Sequence, residues 1–298
     1  MKAQIIKHVG VVVLWSFAVV TVFWCSLLLF GYWQDGRGGS GTSNRLEEGE
    51  YTGWQISDGE CNIAVVPIDG EITTSTYVSA DETKGSVDET EPIMTSMSET
   101  LGTLGTAEYY DPNILGVLML IDSPGGSGAA SQMIADELRN SSMPNAAYVF
   151  DVAASGGYLI ATGVDRIFAN PFADVGSIGV TMSYLDYSKQ NTEQGLEYVE
   201  LASAKFKDSG DPDKQLTAEE KALFERDLKI HHETFVKEVA TNRNLKVEDV
   251  AKLADGSTLP APLALEAKLI DQIGGKEDVR AWFADQLRMT PEEVIFCQ

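Results

Sequence analysis

Two strand-forming stretches of this sequence each run straight into a glycine-rich turn and then into helical sequence. Residues 114–121 (ILGVLMLI) lead into Ser123-Pro124-Gly125-Gly126, and residues 146–152 (AAYVFDV) lead through two alanines into Ser155-Gly156-Gly157. A short apolar run bounded by turn signals is the pattern of a strand covered on both faces. Strand–turn–helix units in series require a largely parallel sheet with helices packed on it, which places the chain in the α/β class. Residues 62–68, 166–170 and 177–185 read as further strands. Residues 92–107 read as a helix weakened by Gly102 and Gly105. Residues 217–242 read as a long helix opened by the capping box Thr217-x-x-Glu220. Shorter helices are expected over 247–255, 262–270 and 276–287, and residues 81–92 read as a solvated acidic loop.

The N-terminus follows different rules. Residues 9–33 form a run of 25 residues without a charge, ending in Phe30, Tyr32 and Trp33. About 20 apolar residues suffice to cross a bilayer as a helix, and aromatics suit its interfacial edge. The run exceeds the apolar region of a cleaved secretory signal, so it is expected to be an uncleaved transmembrane helix holding the chain in a lipid bilayer. Lys2 and Lys7 precede it, while Asp35, Arg37, Arg45, Glu47 and Glu48 follow it. The positive-inside rule then leaves the N-terminus in the cytoplasm and the rest on the extracytoplasmic side of the cell membrane. Residues 34–55 begin Gly/Ser-rich and turn acidic, the composition of a flexible tether. The expected organisation is a stub and anchor over 1–33, a linker over 34–55 and one folded domain over 56–298.

Charge and composition exclude several functions. With 22 basic and 45 acidic residues the net charge is −23, the wrong sign for nucleic acid. Three cysteines and three histidines, with His231 and His232 adjacent, offer no metal-ligand pattern. No metal, nucleotide or organic cofactor is expected. Cys61 and Cys297 fall on the side of the membrane where disulfides form, but nothing in the sequence pairs them, and two free thiols are the plainer reading.

The turns carry the chemistry. Ser155 sits where a strand becomes a helix, a geometry that lifts its hydroxyl clear and aims free N–H groups of the helix start at a developing oxyanion. Gly156 and Gly157 leave room for a substrate carbonyl, and Gly126 is the candidate for a second N–H donor. Such a serine needs a base. His231 and His232 lie mid-helix in LKIHHETF and read as one surface and one core residue. A buried, neutral lysine is the other option, and Lys205 and Lys207 stand in SAKFKDSGDP.

The segments SPGG (123–126), ASGGY (154–158), GSIGV (176–180) and FKDSGDP (206–212), in this order, resemble the signal peptide peptidase A family. The later ADGSTLPAPLALEAKLIDQIGG (254–275) is similar to another stretch of that family, and the likeness spans roughly 62–280. The resemblance implies a membrane-anchored serine protease with a Ser–Lys dyad on a ClpP/crotonase-like fold. It implies Ser155 as nucleophile, Lys207 as general base with Lys205 its competitor, and Ser177 as a hydroxyl that hydrogen-bonds the lysine. It implies the Gly126 and Gly156 N–H groups as the oxyanion hole, cleaved signal peptides or other apolar peptides as substrates, and a homo-oligomer in which Lys207 serves either its own Ser155 or, by analogy with tandem members, that of a neighbouring copy. STLPAP, with Pro260 and Pro262, departs from the family's turn. Two other classes share the sheet: a crotonase-type acyl-CoA enzyme, which would want an acidic pair at the two turns, and a non-catalytic membrane scaffold.

Overall fold

The computed structural model describes Ile56, residues 59–75 and residues 94–297. The expected anchor over 9–33, the linker and the acidic loop over 81–92 lie outside the described residues. No helix among the described residues is long and apolar enough to cross a membrane.

The expected strands and turns form one eight-stranded sheet. Its strands are β1 (Ile63–Thr73), β2 (Met94–Ser96), β3 (Gly116–Gly126), β4 (Asn145–Ala154), β5 (Arg166–Ala169), β6 (Asp174–Gly176), β7 (Thr258–Pro260) and β8 (Gln272–Ile273). The main path runs β2-β1-β3-β4-β5-β8, parallel throughout. Strand β4 is shared: its first half pairs with β5, and its last three residues pair with β6, Val152 to Asp174 through Ala154 to Gly176. Strand β7 closes that corner antiparallel to β6.

Because side chains alternate along a strand, each central strand feeds two cores. Val117, Met119 and Ile121 of β3, Ala147 and Val149 of β4, and Ile167 of β5 enter one core, while Leu118, Ala146 and Phe168 enter the other. The first core is covered by α1 (Met97–Tyr109), α2 (Gly128–Asn140), α3 (Gly156–Ala161) and the C-terminal half of α5 (Ala218–Asn242). The exposed α4 (Ser188–Glu193) precedes α5 in the chain. Helices α6 (Val247–Leu253) and α7 (Ala261–Glu266) follow it, and α8 (Lys276–Leu287) covers the second core with Val279 and Phe283. Helix α5 opens with the expected capping box, in which the Glu220 carboxylate accepts from the Thr217 N–H at 2.9 Å. Three hydrogen bonds, two from the backbone and side chain of Thr217 and one from Lys214, hold the Glu220 carboxyl down to about 2.

Two expectations are corrected. Residues 177–185 are not a strand: the strand here is Asp174–Gly176, and the chain turns out of the sheet at Ser177, whose φ is 50°. Residues 181–187 are all exposed. Cys61 and Cys297 are not free thiols but form a disulfide, with Cα atoms 5.1 Å apart. It fastens the start of β1 to the C-terminal tail, where the Cys297 N–H donates to the Ile63 carbonyl at 2.9 Å and Phe296 bridges Ile63. A cross-link over 236 residues of chain constrains the unfolded state strongly. Thiol titration of the denatured, unreduced chain is therefore expected to find one thiol, Cys25. Reduction is expected to lower stability to urea by about 2–5 kcal/mol. Three thiols would contradict the pairing.

Candidate active site

All the central strands are parallel, so the turns that follow them gather at one edge of the sheet, where α/β proteins place their sites. The β3 and β4 turns meet there. Ser123 pins its own turn: its hydroxyl donates to the Gly70 carbonyl at 2.6 Å and accepts from the Gly125 N–H at 3.1 Å. Gly125 (φ 107°) packs so closely on β4 that a Cβ there would sit 2.8 Å from both the Gly156 nitrogen and the Ser155 Cβ. At Gly126 (φ 150°) a Cβ would fall 2.3 Å from the Ile72 carbonyl oxygen. At Gly156 it would fall 2.4 Å from the Ser131 Oγ of α2 and 3.3 Å from the Gly126 nitrogen. Backbone approaches this tight are open only to glycine.

Ser155 stands between β4 and α3 with φ 51° and ψ −120°. A side chain held there costs about 1–3 kcal/mol and survives only where the surroundings enforce it. Here they do: the Ser155 N–H donates to the Gly176 carbonyl at 2.8 Å, and its own carbonyl accepts the Leu159 N–H at 3.0 Å. The next residues lock α3 in place, because the buried Tyr158 hydroxyl donates to the Leu269 carbonyl at 2.9 Å. Burial pushes that phenol far above the usual tyrosine range, so it stays a donor. The Ser155 hydroxyl caps no helix N–H.

Ser155 faces a cavity of about 1160 Å³ whose lining includes Gly126, Gly156 and Ser177. Four of the five expected site residues therefore share one space. The Ser177 hydroxyl donates to the Gly256 carbonyl at 3.0 Å rather than to a lysine. The 254–257 turn holds Ser177 from the other side too, since the Ser177 N–H donates to the Ser257 carbonyl at 2.9 Å. Leu159, Val180 and Phe235 give the cavity an apolar wall. Asp136, Glu238 and Asp255 also line it, and Arg139, which is not part of the lining, pairs with Asp136 and with Glu238 at 3.9 Å. Gln132 bridges the Asp136 and Glu238 carboxylates at 3.0 and 3.2 Å. Among the described residues no group of side chains could hold a metal ion.

The histidine pair and Lys207 depart from their sequence reading. His231 and His232 both line this cavity, because α5 lies across its mouth; neither is the core residue of the expected pair. The helical period alone could not have shown which face of α5 meets the site. Lys207 is the fifth expected residue, and it does not line the cavity. It is exposed, in a turn closed by the Lys207 N–H donating to the Ala204 carbonyl at 3.0 Å. Its competitor Lys205 is engaged, with its ammonium 2.6 Å from Glu219. No ion pair of the Lys207 ammonium is found among the described residues.

A model of peptidase family S49 matches residues 137–290. A Methanocaldococcus jannaschii protein carrying the name of a protease is 33% identical over 187 residues, 62% of this chain and 60% of that one. An Enterococcus faecium protein carrying the name signal peptide peptidase SppA is 34% identical over 188 residues, 62% of this chain and 55% of that one. The match thus spans about three fifths of these relatives' lengths. Among solved structures, a ClpP1 mutant from Listeria monocytogenes superposes with a TM-score of 0.46 at 15% identity, covering 72% of this chain and 92% of that one.

The glycine contacts give a direct test. Gly126→Ala is expected to destabilise the fold by about 1–3 kcal/mol in urea unfolding, since the obstructing Ile72 atoms are backbone. Gly105→Ala, where a Cβ meets open space on α1, is expected to be neutral or to stabilise by up to about 1 kcal/mol. Equal effects would contradict the close approach of β1 and β3.

Proposed function

This chain belongs to peptidase family S49, and from that premise we propose that it is a membrane-anchored serine endopeptidase working through Ser155 and Lys207. The observation that carries the proposal is the backbone of Ser155. A serine held at φ 51° on a strand-to-helix turn, beside two glycine N–H groups and at the wall of an open cavity, is built as a nucleophile.

In the proposed reaction, neutral Lys207 takes the proton of the Ser155 hydroxyl as its oxygen attacks the peptide carbonyl. The Gly126 and Gly156 N–H groups hold the oxyanion of the tetrahedral intermediate. Lys207 returns the proton to the leaving amine, and an acyl-enzyme remains. Water, deprotonated by the same lysine, then releases the acid and restores Ser155. Ser177 has a defined part: by donating to Gly256 it turns a lone pair outward, where it accepts an N–H of Lys207 and aims the nitrogen lone pair at Ser155.

The lysine is supplied by a second copy of the chain. Lys207 does not line its own cavity, and the segment that carries it is exposed along with Leu185, Val199 and Leu201, the last 94% exposed. Side chains of this kind await an apolar partner surface. The apolar wall of Leu159, Val180 and Phe235 suits aliphatic peptide segments, such as cleaved signal peptides, the substrate in the printed name of the Enterococcus relative. The Cys61–Cys297 disulfide favours an oxidising compartment, which agrees with a domain on the extracytoplasmic side of the anchor over 9–33.

The presence of His231 and His232 on the cavity wall supports a second reading, a histidine base within one chain. One experiment separates the two. Chains carrying Ser155→Ala and chains carrying Lys207→Ala, each inactive alone, are expected to recover about a quarter to a half of wild-type activity when mixed and reassembled. The wild-type rate is expected to rise steadily from about pH 6 to about pH 10, as an amine base requires. No recovery on mixing, with a rate that levels off near pH 7–8 and is lost in His232→Ala, would instead support the histidine.

A further inference from the structure

We infer that Lys214 is a positioning residue that holds the turn bearing Lys207 in register with the rest of the domain; the inference rests on the Ser155–Lys207 reading above. The Lys214 ammonium is the centre of a four-residue node. It lies 3.1 Å from Glu220, 3.2 Å from Glu200 and 3.6 Å from Asp208. Each carboxylate belongs to a different piece of chain. Glu220 is in the first turn of α5 and is locked by the Thr217 capping box. Glu200 is in the exposed stretch before the lysine turn. Asp208 is the residue after Lys207, and it also accepts the Tyr198 hydroxyl.

The surroundings make this node unlike the other lysine pairs of the domain. The Lys214 side chain is only 17% exposed and that of Glu220 only 5%, whereas Lys205 and Glu219 are 64% and 66% exposed. Exposed pairs contribute little, while a shielded ammonium shared by three carboxylates is costly to remove, because the carboxylates then face one another unpaired. Burial works to lower the Lys214 ammonium, but hydrogen bonds to Glu220 and Glu200 outweigh it and hold the group above the ordinary lysine range. It therefore stays charged at any pH where an enzyme amine could act as a base.

The rest of the turn is held by a backbone hydrogen bond of its own and by packing on α5. The Ser209 N–H reaches the Phe206 carbonyl at 3.4 Å, and Gly210 (φ 82°) packs under the Phe224 ring. Among the described residues, the ion pairs from 196–208 to the rest of the domain run through Lys214 or through the exposed Lys205–Glu219 pair. Removing the Lys214 charge leaves Asp208 held only by Tyr198 of the same exposed segment, and loosens the neighbouring Lys207. A base displaced by about 1 Å loses on the order of 100-fold in rate.

The test is a double-mutant cycle on the full-length protein with an activated ester substrate. Lys214→Met is expected to lower kcat 10- to 100-fold with KM within about twofold, and Lys214→Arg to restore most of it. In the Lys207→Ala background Lys214→Met is expected to add no further loss, because it acts through a base already absent. If Lys214→Met fails to fold, Asp208→Asn, which keeps the shape and removes the charge, is expected to give the same kcat loss and the same non-additivity. Full kcat in Lys214→Met, or an equal further loss in the residual ester hydrolysis of Lys207→Ala, overturns the inference, while a large loss in Lys207→Ala itself leaves the dyad standing. Full activity in Lys207→Ala alone removes the dyad and this inference together.

Discussion

The candidate site depends on one close approach of backbone to backbone. The β3 and β4 strands are parallel and adjacent, so their C-terminal turns must either diverge or touch. Gly125 and Gly156 let them touch, and Gly126 lets β3 lie against Ile72 of β1, at distances where a single Cβ would strike backbone or a buried hydroxyl. Everything else at the site follows from that contact. It brings the two N–H candidates together, forces Ser155 into its strained turn, and leaves the serine side chain directed into the space under α5 rather than into the sheet. The strain is held by ordinary means: the Gly176 carbonyl, the first turn of α3 and the Tyr158–Leu269 hydrogen bond.

Much of this frame was legible because its signals are local. An apolar run followed by SPGG or SGG specifies strand, turn and helix within a dozen residues, and the Thr217–Glu220 box marks the start of α5 to the residue. Strand β3 extends further than its apolar run because, after a register shift, the turn residues through Gly126 stay paired with β1 up to Ile72. The failures share a cause. Residues 177–185 carry alternating apolar side chains and read as a strand, but the left-handed turn at Ser177 diverts them from the sheet edge, and that turn is fixed by carbonyls near residue 256, far along the chain. The Cys61–Cys297 bond joins the two ends of the domain, and no local pattern announces it. The placement of His231 and His232 follows from how α5 settles on α2 and α3, which its own sequence does not encode.

In the proposed mechanism the lysine is where one chain stops being enough. A general base must approach its nucleophile, yet Lys207 lies on an exposed segment away from the cavity lined by Ser155 and Ser177. In the proposed assembly the exposed apolar side chains, the unpaired ammonium and the outward lone pair of Ser177 meet across an interface. The Lys214 node then has a clear purpose. A turn that must present its lysine to another subunit has to be rigid before that subunit arrives, and a shielded ion cluster rigidifies it without using apolar surface the interface needs.

The central claim is that Ser155 is an activated nucleophile, and the most direct measurement is covalent. The full-length protein, kept assembled in detergent, is treated with a serine-reactive fluorophosphonate and the modified residue is located by mass spectrometry. The account predicts labelling at Ser155, absent in Ser155→Ala and strongly reduced in Lys207→Ala. A folded, assembled sample that remains unlabelled, or that is labelled at a different serine, would contradict it.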